Sequence, residues 1–282
     1  MNYSLLSPHL HQIAESANRI IKTRYSLTTD GVVEESITAD IPVRFTLHWK
    51  TKTHYIACEV SDRPFPRSIK QTFADIVASN YPIRIIIAYP KDTGLNSKDY
   101  QDDINQCKKF GIGYLSIDNT GIGQIEYKGI SLPLYIPYPS DFKKFNAKIK
   151  SNVQDCYDHY LLKGDPDVGL QQLGQIVERL IYTTGEQAKK AGQFTFSNFN
   201  PPEYISQGAL INAMINENVL DNGILGRCKD FAKDRNSTSH KAKSITEARK
   251  IETKLKDNFI TGLKILEDLP ISILNKAYRV KM

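Results

Sequence analysis

At 282 residues the chain exceeds one modal domain, and about two domains are expected of it. Its 40% hydrophobic content is enough to bury real cores, yet no apolar run approaches the ~20 residues that cross a bilayer, and MNYSLLSPHL lacks the basic and apolar regions of a signal peptide. A cytoplasmic protein with no membrane partner is therefore expected. The net charge of +6 sits mainly in the second half: residues 1–140 hold 15 Lys and Arg against 14 Asp and Glu, residues 141–282 hold 22 against 17.

Pro8 to Arg24 reads as a short helix. Ala39–Trp49 and His54–Val60 are rich in β-branched and aromatic residues and predict two strands, with Lys50-Thr51-Lys52-Thr53 as the turn between them. Arg67–Ser79 sets Ile69, Phe73, Ile76 and Val77 at helical spacing. The solid apolar run Ile83–Ala88 that follows is typical of a strand covered on both faces. A helix over Ser97–Phe110 and a strand over Tyr114–Ile117 complete the order α-β-β-α-β-α-β, which predicts an α/β sandwich with a mixed sheet, and Gly121–Lys128 suggests a further edge strand.

Pro133, Pro137 and Pro139 crowd into SLPLYIPYPS, which can continue neither a helix nor a central strand, so the domain boundary is placed there, giving domains 1–138 and 139–282. From Asp141 onward only the helical period is present, and the fold class expected is α/β plus all-α. A polar connecting helix runs to about Leu162, with a break at Gly164-Asp165-Pro166. Asp167–Ala191 then carries Leu170, Leu173, Val177, Leu180 and Ile181 on one stripe. Gly192–Pro202 reads as a loop, followed by helices over about Tyr204–Val219, Asp221–Ser239 and Thr246–Glu267. Ser244 and Glu247 form a capping box at the start of the last, whose stripe is Ile251, Leu255, Phe259, Leu263 and Leu266.

Between the last two helices lies Arg235-Asn236-Ser237-Thr238-Ser239-His240. An imidazole with an ordinary pKa of about 6.5 can take the proton of a ribose 2′-hydroxyl or protonate a departing 5′-oxygen. An always-cationic, forked guanidinium suits the charge that builds on the phosphorane. On one continuous helix positions five apart diverge by ~140°, but the capping box at Ser244 ends the preceding helix near Ser239 and leaves His240 in or beside a bend. The alternative is that Arg235 and His240 simply complement the C-terminal dipole of their own helix. Residues 227–256 hold ten Lys and Arg against four Asp and Glu, with Arg227, Lys233, Lys241 and Lys243 as candidate RNA contacts. The competing reading is a solvated helix face with an ion pair between Glu252 and Lys256.

The hexapeptide resembles the R-N-x-x-x-H form of the Arg-(four to six residues)-His signature of HEPN-domain ribonucleases, over roughly residues 145–270. The resemblance implies a helical bundle acting as a homodimer, with paired motifs in a shared cleft, and metal-independent, cofactor-free endoribonuclease activity. Arg235 and His240 would be catalytic, and Asn236 would orient Arg235 or contact RNA. It also implies a toxin or anti-phage effector, with an antitoxin or a phage-derived trigger as further partners. Of the other polar residues of this half, Glu178-Arg179, amid Ile176, Val177, Leu180 and Ile181, reads as a partly buried ion pair, and His159 as a packing or surface histidine.

The first half resembles the PD-(D/E)xK restriction-endonuclease-like fold, Asp40 opening one strand and Glu59 ending the next. Such nucleases hold Mg²⁺ with two carboxylates and need a Lys two residues after the second acid. Ser61 stands at that position, with Lys70 on the following helix as a conceivable substitute. The expectation is a degenerate domain used for recognition or scaffolding, with an active Mg²⁺-dependent DNA nuclease, or a non-catalytic nucleic-acid-binding regulator, as alternatives. Arg63, Arg67 and Lys70 would give that surface a cationic side. Cys58, Cys107, Cys156 and Cys228 are widely separated, contain no C-x-x-C pair, and read as buried thiols.

Overall fold

The computed structural model describes residues 3–38, 41–196, 206–236 and 241–282, with Pro42 and Asn236 described as backbone only. The chain forms two compact units: Met1–Tyr138, Leu161–Asp165 and Lys241–Thr253 make the first, and Pro139–Tyr160, Pro166–His240 and Lys254–Met282 the second. The chain thus leaves the first unit after Tyr138 and returns to it over Leu161–Asp165 and Lys241–Thr253.

The first unit is built on a mixed six-stranded sheet in the order β1 (Val32–Val33), β4 (Leu47–Lys50), β5 (Tyr55–Val60), β6 (Ile83–Pro90), β7 (Gly113–Ile117) and β8 (Gly123–Tyr127). β5, β6 and β7 are parallel, while β1, β4 and β8 join antiparallel to their neighbours. Alternation along the central strands explains the apolar run in the sequence. Ile83, Ile85, Ile87 and Tyr89 face a core with Phe65, Ile69, Phe73 and Ile76 of the α2 (Arg67–Ala78) region and with Ile104 and Cys107 of α3 (Ser97–Lys109). Ile86 and Ala88 face the other core, with Leu10, Ile13, Ala14, Ala17 and Ile21 of α1 (Pro8–Tyr25). Helices on both faces leave no solvated side on β6, so a period-2 pattern is absent from it.

The strand expected over 39–49 is divided. β2 (Ser36–Thr38) and β3 (Ile41–Arg44) form a separate two-stranded ribbon, and pairing within the main sheet begins only at Leu47. Thr46 sits at the break because its backbone N–H and its hydroxyl both donate to Glu59, at 3.2 and 3.3 Å. The start of α8 (Ile245–Asn275) is also held in this unit. Glu252 accepts from Ser131 Oγ at 2.7 Å and lies 2.7 Å from His54 Nε2, so it is engaged in this network and not in the ion pair with Lys256 that the competing reading of the basic window offered.

The second unit is helical: α4 (Lys150–Tyr157), α5 (Pro166–Lys190), α6 (Gln207–Asn216), α7 (Asn222–Asn236) and residues 254–275 of α8. Phe259, fully buried, meets Tyr157 edge-on and Tyr160 at a tilt, at centroid distances of 5.3 and 4.2 Å. Gly262 lets α8 approach closely: a Cβ there would lie 2.4 Å from Leu173 Cδ2 and 2.8 Å from the Phe231 ring. α8 runs past the expected end at Glu267, through Pro270 to Asn275. All four cysteines are buried and free, two in each unit. Among the described residues no helix is long and apolar enough to cross a membrane.

Candidate functional site

α7 ends at Asn236 with Lys233 and Arg235 in its last turn, where the helix dipole favours cations. Arg235 reaches α5, and its Nη2 donates to Glu178 Oε1 at 2.6 Å. The ion pair expected within Glu178-Arg179 is therefore made between Glu178 and Arg235. Gly174, one helical turn before Glu178, provides the seat: a Cβ on it would fall 1.6 Å from Arg235 Nη1, 2.7 Å from Cζ and 2.9 Å from Cδ. The Arg235 side chain thus packs against the bare backbone at Gly174, and is 19% exposed against 38% for Glu178. Such a group is charged, oriented by a carboxylate and still reached by solvent, which suits contact with a phosphate.

His240 and residues 237–239 lie outside the described residues, as does the side chain of Asn236. Beyond them the chain re-enters helix as expected. Glu247 N–H donates to Ser244 Oγ at 3.2 Å, and the Glu247 carboxylate accepts from Lys243 N–H at 2.7 Å. The reciprocal bond of the capping box thus goes to the residue before the cap.

The residues of the basic window are divided between the two units. Lys241, Lys243, Arg249 and Lys250 belong to the first unit, and Arg227, Lys229, Lys233, Arg235, Lys254 and Lys256 to the second. Arg227 pairs with Asp268 at 2.6 Å, and Lys254 approaches Asp234 at 3.7 Å. Lys233, Lys241 and Lys243 are exposed.

In the first unit, Glu59 lies on the α2/α3 face of β5. Burial pushes its carboxyl up to about 7 against the two bonds from Thr46, which favour the charged form. Asp40 lies outside the described residues. Ser61 is committed to its own loop: its hydroxyl donates to Asp62 Oδ1 at 3.3 Å and accepts from Arg63 N–H at 3.3 Å. Lys70 is exposed on α2 and lines a cleft with Arg63 and Arg67, a cleft whose lining does not include Glu59. Among the described residues, no group of three His, Cys, Asp or Glu side chains is arranged to hold a metal ion.

No family model, curated protein or solved structure matches this chain.

Two features of these sites were missed in the sequence. Gly174 interrupts the apolar stripe of a long helix, and an isolated helical glycine usually has a packing reason. Asp103, 6% exposed, accepts from Arg63 Nε and Nη2 at 2.8 and 2.6 Å. Its signal was a carboxylate directly before Ile104 on the buried side of α3.

Proposed function

We propose that the helical unit is a metal-independent endoribonuclease of HEPN type, acting as a homodimer and serving as a toxin or anti-phage effector that cuts RNA. The observation that carries the reading is Arg235, set over Gly174 and oriented by Glu178 at the end of the helix that leads into the Arg-to-His hexapeptide. In this reading His240 takes the proton of a ribose 2′-hydroxyl, and the 2′-oxygen attacks the adjacent phosphorus. Arg235 stabilises the charge on the phosphorane oxygens. The 5′-oxygen departs with a proton from solvent, to which His240 returns the one it took, leaving a 2′,3′-cyclic phosphate and a 5′-hydroxyl. Proton transfer and charge stabilisation are both supplied by side chains, so the step calls for no metal. Asn236, Lys233, Lys241, Lys243 and Arg227 remain the proposed RNA contacts.

The α/β unit is proposed as a restriction-endonuclease-like domain without nuclease activity. Its α-β-β-α-β-α-β core and mixed sheet support the first part, and Ser61 at the position of the required Lys supports the second.

The test is to incubate the protein with RNA and with DNA, each with and without EDTA, beside His240→Ala, Arg235→Ala and Glu59→Ala. RNA cutting that survives EDTA, leaves cyclic phosphate ends and disappears in the first two variants supports the reading. EDTA-sensitive DNA cutting lost only in Glu59→Ala, or no cutting at all, overturns it.

A further inference from the structure

The cleft of ≈ 710 Å³ lined by Arg63, Arg67, Lys70, Gln71, Asp102 and Asp103 has a charge arrangement that the protein's own contacts do not balance. The loop from β5 to α2 is clamped onto α3. Arg63 meets Asp103 side-on through Nε and Nη2, Phe65 N–H approaches the same carboxylate at 3.4 Å, and Cys107 Sγ donates to Pro64 O at 3.1 Å. This clamp uses two donors of the Arg63 fork and leaves its Nη1 edge without a protein partner among the described residues. With its side chain 44% exposed, Arg63 is fixed by a buried acid and still open to a ligand.

The other two cations line the same cleft. Arg67 and Lys70 lie in the first turn of α2, are exposed, and make no side-chain hydrogen bond or ion pair among the described residues. That turn has no acidic residue, so two positive charges are placed at the positive end of the helix dipole, where each is unfavourable until an anion arrives. Asp103 is neutralised by Arg63. Asp102, exposed on the α3 wall, is the acid that opposes an incoming anion.

We propose that this cleft binds the phosphate group of a nucleotide or of a nucleic-acid strand. A preset Arg edge in one cleft with two unpaired cations matches the several oxygens of a phosphate group better than a carboxylate. The volume falls within the range of small-ligand sites and accommodates a mononucleotide or the end unit of a strand. The site lies wholly in the first unit and does not depend on the ribonuclease reading.

The experiment titrates the full chain at low salt with inorganic phosphate, uridine 5′-monophosphate and a short single-stranded RNA, by calorimetry and fluorescence anisotropy. Arg67→Glu/Lys70→Glu, which changes two exposed side chains, is expected to weaken binding by at least about tenfold with unchanged circular dichroism. Asp102→Asn is expected to tighten it. A mononucleotide held as well as the strand identifies a free nucleotide as the source. A strand held more tightly, with steep salt dependence, identifies the nucleic acid. Absence of binding by all three probes overturns the proposal. So does binding that is unchanged in the double variant and lost instead in Arg235→Ala.

Discussion

Gly174→Ala separates the seat of Arg235 from the stability of the helix that carries it. The new methyl would lie 1.6 Å from Arg235 Nη1, so the guanidinium must leave its place over α5. The atoms in the way are the far end of a flexible side chain and can swing into solvent. What is lost in stability includes the pair with Glu178, which at 19% and 38% side-chain exposure is worth up to about 1 kcal/mol after solvent screening. What is gained is the helix propensity of Ala over Gly, also about 1 kcal/mol. The two offset, and Tm should move by no more than about 3 °C. On the proposed ribonuclease reading, RNA cleavage should fall by roughly 10²- to 10³-fold, the usual effect of removing one charge-stabilising donor. Thermal unfolding and initial cleavage rates in EDTA are measured together, with Glu178→Ala and the double variant. Because both changes act through Arg235, the double variant should be little slower than either single one. Full cleavage activity in Gly174→Ala would refute the reasoning, as would destabilisation by several kcal/mol with activity per folded molecule intact.

Three further outcomes are expected. Glu59, with a folded pKa of about 7 against 4.5 for an ordinary glutamate, stays protonated in the folded chain where the unfolded chain ionises. Its contribution is full below about pH 4.5 and lost as pH rises to about 7. Glu59→Gln should therefore flatten the pH dependence of urea unfolding across that window, by up to about 3 kcal/mol at neutral pH; an unchanged slope would contradict the assigned burial. Phe259→Ala, deleting a fully buried ring between Tyr157 and Tyr160, should destabilise the helical unit by about 3–5 kcal/mol in denaturant titrations. Ser244→Ala removes the acceptor for Glu247 N–H and should lower stability by about 1 kcal/mol, with hydrogen exchange accelerated at the start of α8.

The elements legible in the sequence were those whose burial is set by local periodicity. Ile69, Phe73 and Ile76 at helical spacing and the run Ile83–Ala88 located α2 and β6 because each meets one core or two, without competing demands. The break at Phe45-Thr46 was not legible, since it answers to Glu59, thirteen residues on. Nor was the length of α8. Pro270 has no N–H and crowds the carbonyl of Leu266, yet Leu269 and Ile273 beside it are fully buried, and that burial outweighs a local preference. The candidate sites divide the same way. Arg235 was visible as a residue type in a spacing, whereas Gly174 and Glu178 become its partners only when α5 and α7 are brought together.

The distribution of the cysteines gives the molecule an internal clock for each half. Cys58 and Cys107 lie on opposite faces of the sheet in the first unit, Cys156 and Cys228 in the second, and burial raises the pKa of every one of these thiols. A thiol that is neither ionised nor accessible reacts with an alkylating reagent only during the moments when its surroundings open. Peptide-resolved labelling therefore times the opening of the α/β unit and of the helical unit separately within one unmodified chain, and shows whether they breathe together or apart.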